Sequence, residues 1–522
     1  MFRFISEEII CFLSLECICG IYGIKRGNRM NKTESTTIQL SEIIYLAYFT
    51  VMFGARAIGL YEGMLPYNIM LVIGMLLFLL KIAMTRHTFA EYLLMGTLLF
   101  ISLIVYYNTG EKGLLLYFTM MLGMKNVSLK RVMKWAAAIL SISFTVLVFL
   151  SVFGWKQDIT YLNDRAGFGQ VLRRSLGYPY PNTLFTTYII LMVLIMYVLG
   201  KQTKKELFMS SALMFLGTVY IYIYSCSNTG LIVATFYLLV NLWLQLRKRV
   251  SVVEKVILLI AYPGCALISI VGPLVTSGRL FQIMDKVLHN RWAYSYYYLT
   301  TEPVTLFGTR FGETPNDNYM IDSSFLYSFL QIGVIPFLIV TTLMIGMICY
   351  YVRNEKKTEL AIIISFCVLG LSDPFFFNLS YKNLMFLFVG ELLYFQTSKL
   401  YWFHKGLPAK EICILRCGER RISLDTPFYG RIKAGLCRVR DIVTDRENQL
   451  LVLFLGIWVI VTAIILACTW SVHVTGAVDR MEEWEYFRRV LSIGMFSGIF
   501  GVVICIIAYW KKGGMVKDEN HA

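Results

Sequence analysis

Blocks of about 17 to 25 mostly apolar residues, the length of helix that crosses ~30 Å of hydrocarbon, recur along this chain with only short polar breaks between them. They centre on residues 42–61, 68–86, 90–108, 112–125, 133–154, 182–200, 206–225, 229–247, 252–274, 322–350, 358–374 and 381–399, the fourth being short. Two more follow, at about 449–470 and 488–510. The pattern predicts an all-α, polytopic transmembrane helical bundle of about twelve core spans within residues 42–400, closed by a C-terminal two-span hairpin in 449–522. Two breaks are long, 155–181 and 276–321, and a basic linker, 401–448, joins the core to the hairpin.

Composition excludes the soluble classes: 57% of residues are hydrophobic and 16% charged, with a mean hydropathy of +0.62. Charge then sets the orientation, because cytoplasmic loops of inserted proteins carry the excess of Lys and Arg. The breaks KIAMTRH, MKNVSLKRVMK, KQTKKE, RKRVSVVEK and VRNEKK alternate with YEGMLPY, NTGEKG, CSNTG and DPFFFNLSYKN. The first set is expected inside, which places both long breaks and Asp373 outside. The net charge of +16 therefore records topology, and no nucleic-acid partner is needed to explain it. Lys511 and Lys512 return the C terminus to the cytoplasm. In the N-terminal segment 1–41, a weak apolar stretch is interrupted by Glu7, Glu8 and Glu16 and lacks a cationic start and cleavage site, so it does not read as a signal peptide. Met30 is the expected start, which leaves the N terminus cytoplasmic.

Against the charge rule, the outer break 155–181 holds Lys156, Arg165, Arg173 and Arg174 against Asp158 and Asp164. Solvation or pairing with anionic lipid headgroups is the bland explanation. Capture of an anion at the outer face is the functional one, since Arg offers a bidentate fork to phosphate. Arg279 and Arg310 in the later break add to the same side. Read as one helix, residues 279–299 put Leu280, Met284 and Val287 on an apolar face that Arg291 continues. A guanidinium there needs a partner, either a buried carboxylate or the diphosphate of a lipid-linked substrate.

Soluble catalytic signatures are missing from the sequence: no GxSxG, Walker-type loop, HExxH or CxxC occurs, and Cys413, Cys417, Cys437 and His404 have spacings that fit no usual zinc site. Asp322, opening the tenth block, and Asp373, closing the eleventh, are the better candidates, because a carboxylate at a membrane edge is costly unless solvated or paired.

RRSLGYPYPN before the sixth block, SNTGLI opening the eighth, RWAYSYYYLTTEPVTLFG in the late loop, DSSFLYSFLQIGVIP at the tenth and SDPFFFNLSYKN after the eleventh together resemble the Wzy-type polysaccharide polymerases, of the same superfamily as the O-antigen ligases. The resemblance covers about residues 40–400. It implies a GT-C-like, metal-independent glycosyltransferase in the bacterial cytoplasmic membrane, without a cofactor, that polymerises undecaprenyl-diphosphate-linked oligosaccharide repeats into a capsule or other surface polysaccharide. It also implies membrane lipids, a flippase and a chain-length regulator as the partners to look for. Arg165, Arg173, Arg174, Arg279 and Arg291 would bind substrate, with Arg173 or Arg174 and Arg291 on the donor diphosphate, while Asp322 or Asp373 would orient or deprotonate the acceptor hydroxyl. Ligases typically show His where this chain has Asp322, which favours the polymerase. A lipid-linked oligosaccharide flippase is the rival from another class, but transporters usually show internal repeats and midplane charges. Residues 401–522 match nothing in the family pattern.

The orientation is checked by single cysteines in a cysteine-free background. Residue 310 should react with an impermeant maleimide on intact cells, and residue 248 only after permeabilisation.

Overall fold

The computed structural model describes residues 37–165, 169–200, 202–288, 290–315, 320–376, 381–395, 411–423, 434–435, 437–439, 441–443, 445–476 and 480–518, and leaves out the side chains of 164–169, 416, 423, 447, 470–483 and 511–518. In chain order the helices are α1 (Leu40–Ala57), α2 (Leu65–Ala83), α3 (Phe89–Thr109), α4 (Gly113–Leu122), α5 (Leu129–Val152), α6 (Pro181–Leu199), α7 (Lys204–Ser225), α8 (Asn228–Leu246) and α9 (Val252–Ile270). They continue with α10 (Gly272–Val275), α11 (Gly278–Val287), α12 (Arg291–Thr301), α13 (Ser324–Gln331), α14 (Val334–Arg353), α15 (Lys357–Leu369), α16 (Met385–Leu393), α17 (Glu447–Gly476) and α18 (Arg480–Asp518). Among the described residues ten helices are long and apolar enough to cross a membrane, the make-up of a multi-pass membrane protein. The remaining expected spans are shorter or more charged: α1 carries Glu42 and Arg56, and α4, α15 and α16 have 10, 13 and 9 residues.

Helix starts follow local chemistry on the face expected inside. Thr88, Thr203 and Ser251 each accept from the backbone of a Glu three residues on, whose carboxylate accepts in return, so α3, α7 and α9 all begin with a reciprocal capping box. That arrangement satisfies amides which hydrocarbon could not.

The chain divides into two compact units. One comprises Ile38–Val132 and Ile232–Ile422, the other Met1–Thr37, Met133–Leu231 and Ser423–Ala522. In the first, a tyrosine cluster makes the centre: Tyr48 and Tyr381 hydroxyls meet at 2.6 Å, Tyr48 meets Thr119 at 2.8 Å, and Tyr45 donates to the Met120 carbonyl at 2.8 Å. These bonds let large rings be buried without orphaned hydroxyls, each bond contributing about 0.5–1.5 kcal/mol. Segment 411–422, from the expected linker, is part of this unit: β4 (Glu411–Ile412) pairs antiparallel with β1 (His87–Thr88), and Leu415 donates to the Ala83 carbonyl.

In the second unit the chain departs from the all-α expectation. Within the long break 155–181, β2 (Thr160–Arg165) pairs antiparallel with β3 (Gly169–Arg174), with Leu162 opposite Leu172. The C-terminal helices α17 and α18 lie side by side where glycines permit it: a Cβ at Gly498 would stand 2.8 Å from the Phe454 carbonyl oxygen, and at Gly494 it would fall against Thr462.

Two expected helices are broken, each for a visible reason. Residues 279–299 form α11 and α12 rather than one helix, because Asn290 adopts a left-handed conformation (φ 66°) and Asp285 takes the Ala293 amide at 2.8 Å, starting a new helix. Leu280 and Val287 are then exposed and share no continuous face with Arg291. The tenth block, 322–350, splits into α13 and α14 at Gly333, whose φ of 91° only glycine adopts at no cost. A Cβ there would fall against the Gly308 nitrogen and stand 2.7 Å from the Leu306 carbonyl oxygen, so the preceding loop is clamped into the break.

Gly333→Ala should therefore destabilise the purified protein by on the order of 2 kcal/mol or more, read as a lower Tm in detergent; an unchanged Tm would mean that the break does not depend on this close approach.

Candidate functional site

The late loop of the first unit, 276–321, is assembled by packing before any charge is considered. Trp292 in α12 lies where a Cβ on Gly272 would stand 2.5 Å from its ring, and its indole donates to the Thr276 hydroxyl at 2.8 Å. Tyr298 of α12 packs with Leu326 and Leu330 of α13, with Phe311 and Ile321 against them. Burying such side chains contributes about 1.5–3 kcal/mol each, enough to fix the first residue of α12 relative to the residues just before α13.

Those residues are Arg291 and Asp322. The guanidinium Nε donates to the Asp322 Oδ2 at 2.6 Å, with side chains 18% and 31% exposed. The partner that Arg291 needed is thus a carboxylate of the same chain, and the two residues expected in separate roles form one ion pair. Asp373 is drawn toward it through the backbone: the Ser324 hydroxyl donates to the Asp373 carbonyl, the Phe376 amide donates to that hydroxyl at 3.2 Å, and the Ser324 amide donates to the Gly370 carbonyl at 2.7 Å. The loop bearing Asp373 is in this way pinned two residues from Asp322. Ser323 caps α13 through the Leu326 amide.

Two cations of this unit escaped the sequence reading. Arg56, near the end of α1, donates to the Leu60 carbonyl at 3.1 Å and lies 5.3 Å from the centre of the Tyr67 ring. Lys382 is buried in the loop before α16, where Arg56 repels its charge and Asp373 attracts it. Arg56 falls inside the block 42–61, and Lys382 stands where the break DPFFFNLSYKN meets the block 381–399; a charge within or at the mouth of an apolar block was the signal that could have found them.

The earlier arginines are separated by strand geometry. Successive side chains of β3 point to opposite faces, so Arg173 and Arg174 do not act as a pair. Arg173 is buried and donates to the Ser225 carbonyl and the Asn182 side-chain oxygen, both at 2.7 Å, at the carbonyl end of α7 where a cation is favoured. Arg174 instead reaches Asp158 at 3.4 Å and Glu485 of α18. Arg279 is exposed on α11, and no ion pair joins it to Asp322 among the described residues. The side chain of Arg165 lies outside the described residues, although its backbone ends β2 opposite Gly169.

A double-mutant cycle tests the ion pair. Arg291→Gln and Asp322→Asn should each lower Tm, and the double variant should be less destabilised than the sum, with a coupling of about 1 kcal/mol for a partly exposed pair. Strict additivity would show that the two side chains do not meet.

No family model, curated protein or solved structure matches this chain.

Proposed function

We propose that this chain is a membrane glycosyltransferase that polymerises undecaprenyl-diphosphate-linked oligosaccharide repeats at the outer face of the bacterial cytoplasmic membrane. The observation that carries the reading is the Arg291–Asp322 pair at a loop expected outside, in a multi-pass protein, with Asp373 tethered beside it. A cation paired to a carboxylate is what an anionic donor can exchange with. Phosphate oxygens taking the Arg291 fork leave the Asp322 carboxylate to accept a proton.

The step then balances without metal or nucleotide. The acceptor sugar hydroxyl gives its proton to Asp322 as its oxygen bonds the donor anomeric carbon. The bond from that carbon to the phosphate oxygen breaks, and undecaprenyl diphosphate leaves with the electron pair, its growing charge met by Arg291. Asp373 orients the acceptor. Asp322, rather than His, at the start of α13 supports a polymerase over a ligase.

The test is synthesis by purified protein from its locus-matched lipid-linked repeat, read as ladder length on a gel. Wild type should give a ladder. Arg291→Ala and Asp322→Ala should each cut the rate by roughly a hundredfold or more, the scale on which a charge-stabilising or proton-accepting group acts. Folded variants with unaltered ladders would remove both residues from the chemistry.

A further inference from the structure

Where segment 411–422 seats on the first unit there is a cavity of about 300 Å³ that has no part in the proposed transfer. Its walls include Gln39 and Ser41 at the start of α1, Arg86 before α3, Asn126 between α4 and α5, and Glu419 and Arg421 of the segment itself. Backbone contacts hold these walls together. The Leu40 amide donates to the Arg420 carbonyl at 3.0 Å, the Leu415 amide to the Ala83 carbonyl at 2.8 Å, and a Cβ at Gly418 would fall against the Met84 carbonyl oxygen. Two guanidinium groups distant in sequence, those of Arg86 and Arg421, are thereby brought to one small space.

The chemistry of the walls favours an anion. α1 has 18 residues, and its N-cap, Gln39, makes no side-chain capping bond, so the amides of Ser41 and Glu42 have no partner inside the helix and its positive end is uncovered. Ser41 is 2% exposed and lines the cavity, yet its hydroxyl meets no hydrogen-bond partner among the described residues. Arg421 is exposed and in no ion pair among the described residues. Arg86 pairs with Glu419, but their side chains are 53% and 44% exposed, and such a solvated pair contributes little. Glu42, in the first turn of α1, does not compete for the space: its carboxylate takes Arg131 at 2.7 Å and the Ser128 amide at 3.0 Å. Among the described lining residues, two guanidinium groups and a helix N-terminus thus face one carboxylate, that of Glu419.

We infer that this cavity binds a phosphate group, with Arg86 and Arg421 on its oxygens and the Ser41 hydroxyl and first-turn amides of α1 as further donors. Phosphate suits the place because its oxygens accept from several directions at once, from guanidinium forks and from a helix N-terminus alike. A phospholipid headgroup and a soluble phosphate compound offer the same chemistry here, since basic pockets between spanning helices take headgroups as well. A ligand so held joins segment 411–422 to α1 and to the turn before α3, which makes the linker a ligand-dependent part of the first unit. The inference does not rest on the proposed transferase.

The test is equilibrium binding to the full chain in maltoside micelles, which contain no phosphate, with glycerol phosphate, dioctanoyl phosphatidylglycerol and dioctanoylglycerol as probes. Both phosphates should bind and dioctanoylglycerol should not. Similar affinities for the two phosphates would identify the soluble group as sufficient, and a tenfold or greater preference for the lipid would identify a headgroup site. Arg421→Gln should weaken binding at least tenfold, whereas Arg353→Gln, an equal loss of charge at the exposed end of α14, should leave it unchanged. Ser41→Ala guards against misfolding: it removes a hydroxyl that no described residue holds, so Tm without ligand should stay the same while phosphate binding weakens several-fold. Binding of neither phosphate, equal binding of dioctanoylglycerol, equal weakening by Arg353→Gln and Arg421→Gln, or unchanged affinity in Ser41→Ala overturns the site.

Discussion

A guanidinium packed among protein side chains must find oxygens, and the loops of this protein are built around that demand. Water is scarce there, so carboxylates, carbonyls and side-chain amides of the chain itself have to supply them. Arg291 takes Asp322, Arg174 takes Asp158 and Glu485, and Arg173 takes the Ser225 carbonyl with Asn182. Each assignment fixes a loop to a helix end. The late loop is tied to the start of α13, the β-hairpin to the end of α7, and the C-terminal hairpin to both β3 and α7.

Such pairings are stable without being inert. A partly exposed ion pair is worth about 1 kcal/mol or less in the absence of ligand, so an anion offering better geometry can replace the carboxylate at small expense. Arginine suits this exchange better than lysine because its planar fork meets two phosphate oxygens at once.

The helical blocks were legible in the sequence because hydrocarbon imposes a length and admits few charges, and each expected block contains a helix. Their continuity was not. Asn290 interrupts the amphipathic run 279–299 and Gly333 the tenth block, and both breaks are made by a positive φ together with a contact distant in sequence or across the turn. The β-hairpin was missed because TYLNDR and GQVLRR were read for their charges, although Gly167 between them and Gly169 opening the second are turn chemistry. Of the candidate residues, Arg291 announced its need of a partner, and Asp322 and Asp373 announced theirs, but which oxygen meets which cation depends on tertiary packing. Glu485 and Arg488 lay in a segment that matched no family pattern, and nothing local distinguishes them from solvated charges. Arg56 was hidden inside an apolar block, where a charge is rare, and Lys382 stood at the mouth of one, where a charge reads as an ordinary break residue.

The most direct measurement follows the leaving group. Purified protein, a single lipid-linked repeat labelled in its diphosphate, and no nucleotide or added metal should together release free undecaprenyl diphosphate, one molecule for each glycosidic bond formed. Intact labelled lipid crossing a vesicle bilayer, with none released, would contradict glycosyl transfer and mark the protein as a transporter.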